Sequence, residues 1–93
     1  MNSEFIDAQE MHRLHPATFD IPPVSELEKI KPSDWVKVCT GDERFWCRVD
    51  IVDGDRIFGI IDNDLVCTDI HGLKYGDAIS FGKNNIYAIH FLK

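Results

Sequence analysis

Nowhere in this 93-residue chain do about 18 apolar residues follow one another, the least that a membrane-crossing helix requires. The opening stretch, MNSEFIDAQEM, also lacks the basic start and apolar run of a secretory signal, so a cytoplasmic protein with no membrane association is expected. Cysteine is scarce. Cys39, Cys47 and Cys67 are an odd number with no short repeated spacing, which argues against a disulfide framework and for reduced thiols. Positive charge is the third shortage: ten Lys plus Arg stand against sixteen Asp plus Glu, a formal charge of −6. A surface of that sign repels phosphate backbones, so direct nucleic-acid binding is not expected. The same charge keeps a small domain soluble and can steer it toward a basic partner.

What is present is ordinary for one globular domain: 44% hydrophobic and 28% charged residues, too apolar for a disordered chain. The chain divides by pattern into an N-terminal arm, residues 1–31, and a β-domain, residues 32–93. In the arm, Ser3 is placed to cap a short helix reaching Leu14, with Phe5, Ile6, Ala8 and Met11 as its apolar stripe and Pro16 as its stop. The proline-rich HPATFDIPP follows as an extended segment, with Phe19 and Ile21 inserted into the domain surface. Ser25 with Glu28 has capping-box spacing for a second short helix that turns Leu27 and Ile30 inward.

From Pro32 onward, short runs of β-branched and aromatic residues are punctuated by Gly and Asp, the spacing of an all-β fold. Residues 35–40 form the first strand, with Val36 and Val38 on one face. In residues 44–53, Phe45, Cys47, Val49 and Ile51 alternate with Arg44, Trp46, Arg48 and Asp50, so the first set faces the core. Gly54-Asp55 turns the chain, and residues 56–62 return with Ile57, Gly59 and Ile61 inside. Residues 63–75 carry no clear period, although Leu65, Val66, Ile70 and Leu73 suit packing against the core. Two last strands, residues 78–81 and 86–91, are joined by the turn formers Gly82, Lys83, Asn84 and Asn85. Five short strands joined mostly by tight turns predict a small SH3-like barrel, with an OB-like barrel as the alternative if residues 65–72 supply a helix. A local echo links PSDWVKV, residues 32–38, to KYGDAISF, residues 74–81. In each, the aspartate can bond neighbouring backbone and fix how the strand leaves its turn.

The segments TFDIPP (18–23), DWVKV (34–38), GDERFWCRV (41–49), GIIDN (59–63), GDAISF (76–81) and NIYAI (85–89) together cover about three quarters of the chain. In them the sequence resembles a family of small uncharacterised bacterial domains. Ser33 and Cys47 depart from that pattern, standing where a glycine and an aliphatic residue are expected. The resemblance implies a β-barrel and a bacterial or phage origin, and it brings no activity with it.

No convergent catalytic set stands out, so the reading is a non-catalytic protein-interaction module. No cofactor signature is present. Cys67 and His71 with Cys39 and Cys47 offer zinc-type ligands, but the close pair that opens a structural zinc site is missing. Cys67, His71 and Asp62, Asp64 or Asp69 could make a nucleophile, base and orienting acid; the enzyme this implies is disfavoured, because the loop has no Lys or Arg to lower the thiol pKa. The same aspartates lack the glycine and terminal glutamate of a calcium loop. Trp46 and Phe58 lie in the phase opposite the core, beside Arg44, Arg48 and Arg56. They are either covered by the arm through Phe19 and Ile21 or exposed as an aromatic and arginine patch, a composition typical of interaction hot spots. The predicted contact residues are therefore Arg44, Trp46, Arg48 and Phe58 in one patch and Asp62, Asp64 and Asp69 in a second. An alternative partner class is a basic nucleic-acid site blocked by this small acidic chain, as in a toxin-immunity or phage anti-defence inhibitor.

Overall fold

The computed structural model describes residues 5–17, 20–40, 44–62 and 73–92. Seven main elements follow in order: α1 (Ala8–Leu14), α2 (Val24–Leu27), β1 (Trp35–Cys39), β2 (Arg44–Asp53), β3 (Arg56–Ile61), β4 (Ala78–Gly82) and β5 (Ala88–His90), with a 3-10 turn at Lys83–Asn85 before β5. The strands form one mainly antiparallel-built sheet in the order β4-β3-β2-β1-β5, with every neighbouring pair antiparallel. Among the described residues this ladder is open, ending at β4 on one side and β5 on the other, so the closed barrel expected from the pattern is not formed by strand pairing. Residues 63–72, whose helicity would separate the OB-like alternative, lie outside the described residues.

Strand alternation sets the core. Val36 and Val38 of β1, Phe45, Cys47 and Val49 of β2, Ile57 and Ile61 of β3, and Ile79 and Phe81 of β4 all turn inward, joined by Leu73 and Ile86. The arm adds Leu27 and Ile30 to the same cluster, and Phe5 packs on it edge-on to Phe45 and Phe81 at ring-centroid distances of 6.2 and 5.8 Å. Such aromatic contacts add to the area they bury. The Ile6 N–H donates to the Cys39 carbonyl at 2.8 Å, and the Asn85 side chain donates to the Phe5 and Ile6 carbonyls. The residues just before α1 are thus held at the end of β1 by one main-chain bond and by the Asn85 side chain.

Three details of the sequence reading change. Helix α1 starts at Ala8 and not near Ser3: the Asp7 carboxylate accepts the Glu10 N–H at 3.0 Å, and Phe5 and Ile6 leave the helix to pack on the sheet. Helix α2 opens at Pro23 with no side-chain cap, so Ser25 lies inside its single turn, although Leu27 and Ile30 are buried as expected. The third change is in β2. Its register against β3 shifts between Val49 and Ile51, where one extra residue forms a β-bulge. Beyond the bulge the phase reverses, leaving Ile51 53% exposed while Val52 packs against the core. Strict alternation cannot foresee this, because Ile51 and Val52 are both apolar and either can point inward.

The loop in the β2–β3 hairpin is Gly54-Asp55, with Gly54 at φ +60, as a two-residue hairpin turn demands. Gly59 also has a steric reason. A Cβ there would sit 2.8 Å from the Arg48 carbonyl oxygen, so the close approach of β3 to β2 beside the bulge excludes any side chain.

Candidate interaction face

The residues in the phase opposite the core line up into rungs across the outer face of the sheet. One rung runs His90, Trp35, Arg48, Ile60, Ala78, through four strand pairings. A parallel rung brings Ala88, Lys37 and Trp46 together, and the Asp62 N–H continues it by donating to the Trp46 carbonyl at 2.9 Å. A third rung holds Ile51, Phe58 and Ser80. Of the two predicted patches, Arg44, Trp46, Arg48 and Phe58 all belong to this face. Asp62, assigned to the second patch, sits at its margin. Asp64 and Asp69 lie outside the described residues, as do Cys67, His71 and Phe19.

Polar contacts fix the aromatic groups. The Trp35 indole Nε1 donates to the Asp62 carboxylate at 2.7 Å, and the Tyr75 hydroxyl reaches its other oxygen at 3.5 Å. Trp35 also packs on the His90 ring at 5.6 Å. The Lys37 ammonium lies 5.4 Å from the Trp46 ring, and the Arg44 guanidinium 5.2 Å from the Tyr87 ring, both within cation–π range. Arg56 leans toward β4 and donates to the Ser80 hydroxyl at 3.1 Å.

Phe58 is 40% exposed and Tyr75 59%, and Phe19, through which the arm was expected to cover this side, lies outside the described residues. Ile21 instead lines a cleft with Gln9, His12 and Val24, within the arm itself. Beside Phe58 the face holds a shallow cleft of about 220 Å³ bounded by Asp50, Ile60, Ala78 and Ser80. Trp35, Lys37, Tyr75 and His90 were missing from the predicted set. The signal for Trp35 and Lys37 was in the sequence, since they alternate with Val36 and Val38, but Tyr75 and His90 are brought in only by strand pairing and the turn before β4.

Burial, with the Asp62 charge adding to it, pushes the Cys47 thiol up to about 12, so it stays protonated and packs as a small core hydrophobe. Cys39, in the opposite phase of its strand, points to the other side of the sheet from Cys47, which removes the pairing on which a shared metal would depend. Among the described residues no three His, Cys, Asp or Glu side chains are grouped to hold a metal ion, and no helix is long and apolar enough to cross a membrane. No protein-family model matches the chain, and neither a curated protein nor a solved structure matches it.

Proposed function

We propose that this chain is a protein-interaction module with no catalytic step, built on an SH3-like arrangement of five strands, that captures a protein partner on the outer face of its sheet. The observation that carries the reading is the cluster of exposed or half-exposed apolar rings beside basic groups: Trp46 and Phe58 with Arg44 and Arg48, Phe58 being 40% exposed. Aromatic and arginine side chains give large contact area at low ordering cost and dominate binding hot spots. The strand order β4-β3-β2-β1-β5, with a 3-10 turn leading into β5, supports the SH3-like description, since the meander of β2, β3 and β4 continues onto β1 and β5.

Replacing Trp46 and Arg48 together by alanine tests this. Their side chains point away from the core, so the double variant should melt close to the native protein while losing the partner recovered from a host extract and identified by mass spectrometry. Retention of that partner, or unfolding of the variant, refutes the assignment.

A further inference from the structure

We propose that the partner contributes an extended segment which adds as a sixth strand along the outer edge of β4, beside which no strand lies among the described residues, placing an apolar side chain over Phe58 and Ile60 and an acidic one beside Arg56. This rests on the reading of the outer face as a protein-binding surface and specifies how the partner meets it.

The first observation is an internal two-fold relation. The turn before β1 and the turn before β4 dock alike: Ser33 N–H donates to Val49 O and Val49 N–H to Asp34 O, while Gly76 N–H donates to Ile61 O and Ile61 N–H to Asp77 O. Residues 31–38 thus correspond to residues 74–81, and β1 outside β2 corresponds to β4 outside β3. On the β1 side a further strand is present: β5 pairs through Trp35 with His90, Val36 with Ile89 and Lys37 with Ala88. On the β4 side the equivalent lane, along Ala78, Ile79 and Ser80, holds no strand among the described residues.

The second observation is the direction of the main chain. Ile61 donates to Asp77 and Lys83 to Asp55, and bonded pairs alternate with unbonded pairs in an antiparallel ladder. Ile79 and Phe81 therefore turn their peptide groups to β3, and Ala78 and Ser80 turn theirs to the open edge. The Gly82 N–H closes that edge by donating to the Asn85 side chain at 2.9 Å. Two adjacent edge positions present donors and acceptors at strand spacing, which is what an extended backbone satisfies. No proline, lysine or bulge guards β4 between Ala78 and Gly82.

Side chains set the partner's chemistry. Beside Ala78 and Ser80, both small, the cleft of about 220 Å³ is floored by Phe58 and Ile60 and takes an apolar side chain from the added strand. Arg56, paired with Gly82 one rung further, directs its guanidinium over β4 to Ser80, within reach of a carboxylate two residues along the same face of that strand. A five-residue edge is too short for a stable dimer of standard size, so a peptide segment fits it better than a second copy of the chain.

Selection of a random dodecapeptide display library against the full chain tests the proposal. Enriched peptides should alternate apolar positions with an acidic residue, and their binding should slow hydrogen exchange at the Ala78 and Ser80 amides. Ser80→Pro removes an edge donor without breaking a β3–β4 bond and should weaken the peptides by about tenfold. Ala78→Lys, which guards the edge with a charge, should do the same if the proline variant fails to fold. Peptides that lose binding to the Trp46 and Arg48 double variant but bind both edge variants normally overturn the edge proposal and leave the outer-face reading standing. No enrichment at all overturns both. A native dimer that becomes monomeric with Ser80→Pro shows a second copy in the lane and also overturns the peptide assignment.

Discussion

The two turns that launch β1 and β4 solve one problem with different materials. Lys31-Pro32-Ser33-Asp34 and Lys74-Tyr75-Gly76-Asp77 both carry a positive φ at the third position, +81 at Ser33 and +86 at Gly76. In both, the aspartate accepts its lysine's backbone N–H, at 3.0 and 3.1 Å, and pairs with the same lysine's ammonium. The environments then diverge. Asp34 is fully buried and also accepts the Leu92 N–H at 2.8 Å, tying the end of the chain to the start of β1. Asp77 remains partly open to water and shows no such third bond among the described residues. Identical local chemistry is therefore a structural keystone at one site and a turn lock at the other, and the difference lies in what packs over the carboxylate.

The sharpest way to break this comparison is to delete both carboxylates in turn. Asp34→Ala removes the buried acceptor of two part-buried main-chain donors, Lys31 and Leu92 N–H, and should cost about 2 kcal/mol of unfolding free energy, read from the denaturant midpoint. Asp77→Ala should cost distinctly less in the same titration. Equal losses would remove the distinction between the sites.

Acid should separate the turns next. Burial pushes the Asp34 carboxyl upward, but the Leu92 and Lys31 N–H groups and the Lys31 ammonium together outweigh it and hold the pKa below its ordinary value. A carboxylate whose folded pKa is lowered contributes its full stability above the unfolded value of about 4, and that contribution is lost as pH falls through the folded value. Stability should thus decline as pH drops below about 5, and Asp34→Asn should flatten that acid limb in urea titrations at a series of pH values. Asp77, lowered mainly by its bond to Lys74, should leave the limb nearly unchanged when replaced by asparagine.

The smallest effect concerns the third turn position. Among the described residues Ser33 is the sole non-glycine with positive φ, and a left-handed residue with a Cβ carries about 1 kcal/mol of strain or more. Ser33→Gly should raise the melting temperature by the equivalent of about 0.5 kcal/mol, because the freedom that glycine adds to the unfolded chain offsets part of the relieved strain. Gly76→Ala should lower it by a similar amount. A Cβ at Gly76 meets nothing within 4 Å, so any loss there is conformational and not steric.

Much of the candidate face was legible because period-two alternation needs no tertiary information. It separated Arg44, Trp46 and Arg48 from Phe45, Cys47 and Val49, and Phe58 from Ile57, and the strands keep those phases. It failed at Ile51, where a bulge reversed the phase, and at the first helix, where Asp7 rather than Ser3 supplies the cap. Ser33 adopts a positive φ, a conformation that no period-two pattern signals. Asp62 looked like part of a separate acidic loop. Its bond from the Trp35 indole, across an intervening strand, links it to the aromatic face, and no local pattern encodes a contact between residues 27 positions apart.

By itself the sequence determined the strands, the inward set as far as the bulge in β2, and the turn chemistry, because each follows from side-chain order and backbone sterics over a few residues. Only the tertiary structure decided that β1 gains β5 as a neighbour while β4 has no further strand beside it among the described residues, that Asp34 is bonded by the Leu92 N–H, and that Trp35 reaches Asp62. Those outcomes depend on which distant segments meet, and a distant meeting is set by the packing of the whole core and not by any stretch of chain within it.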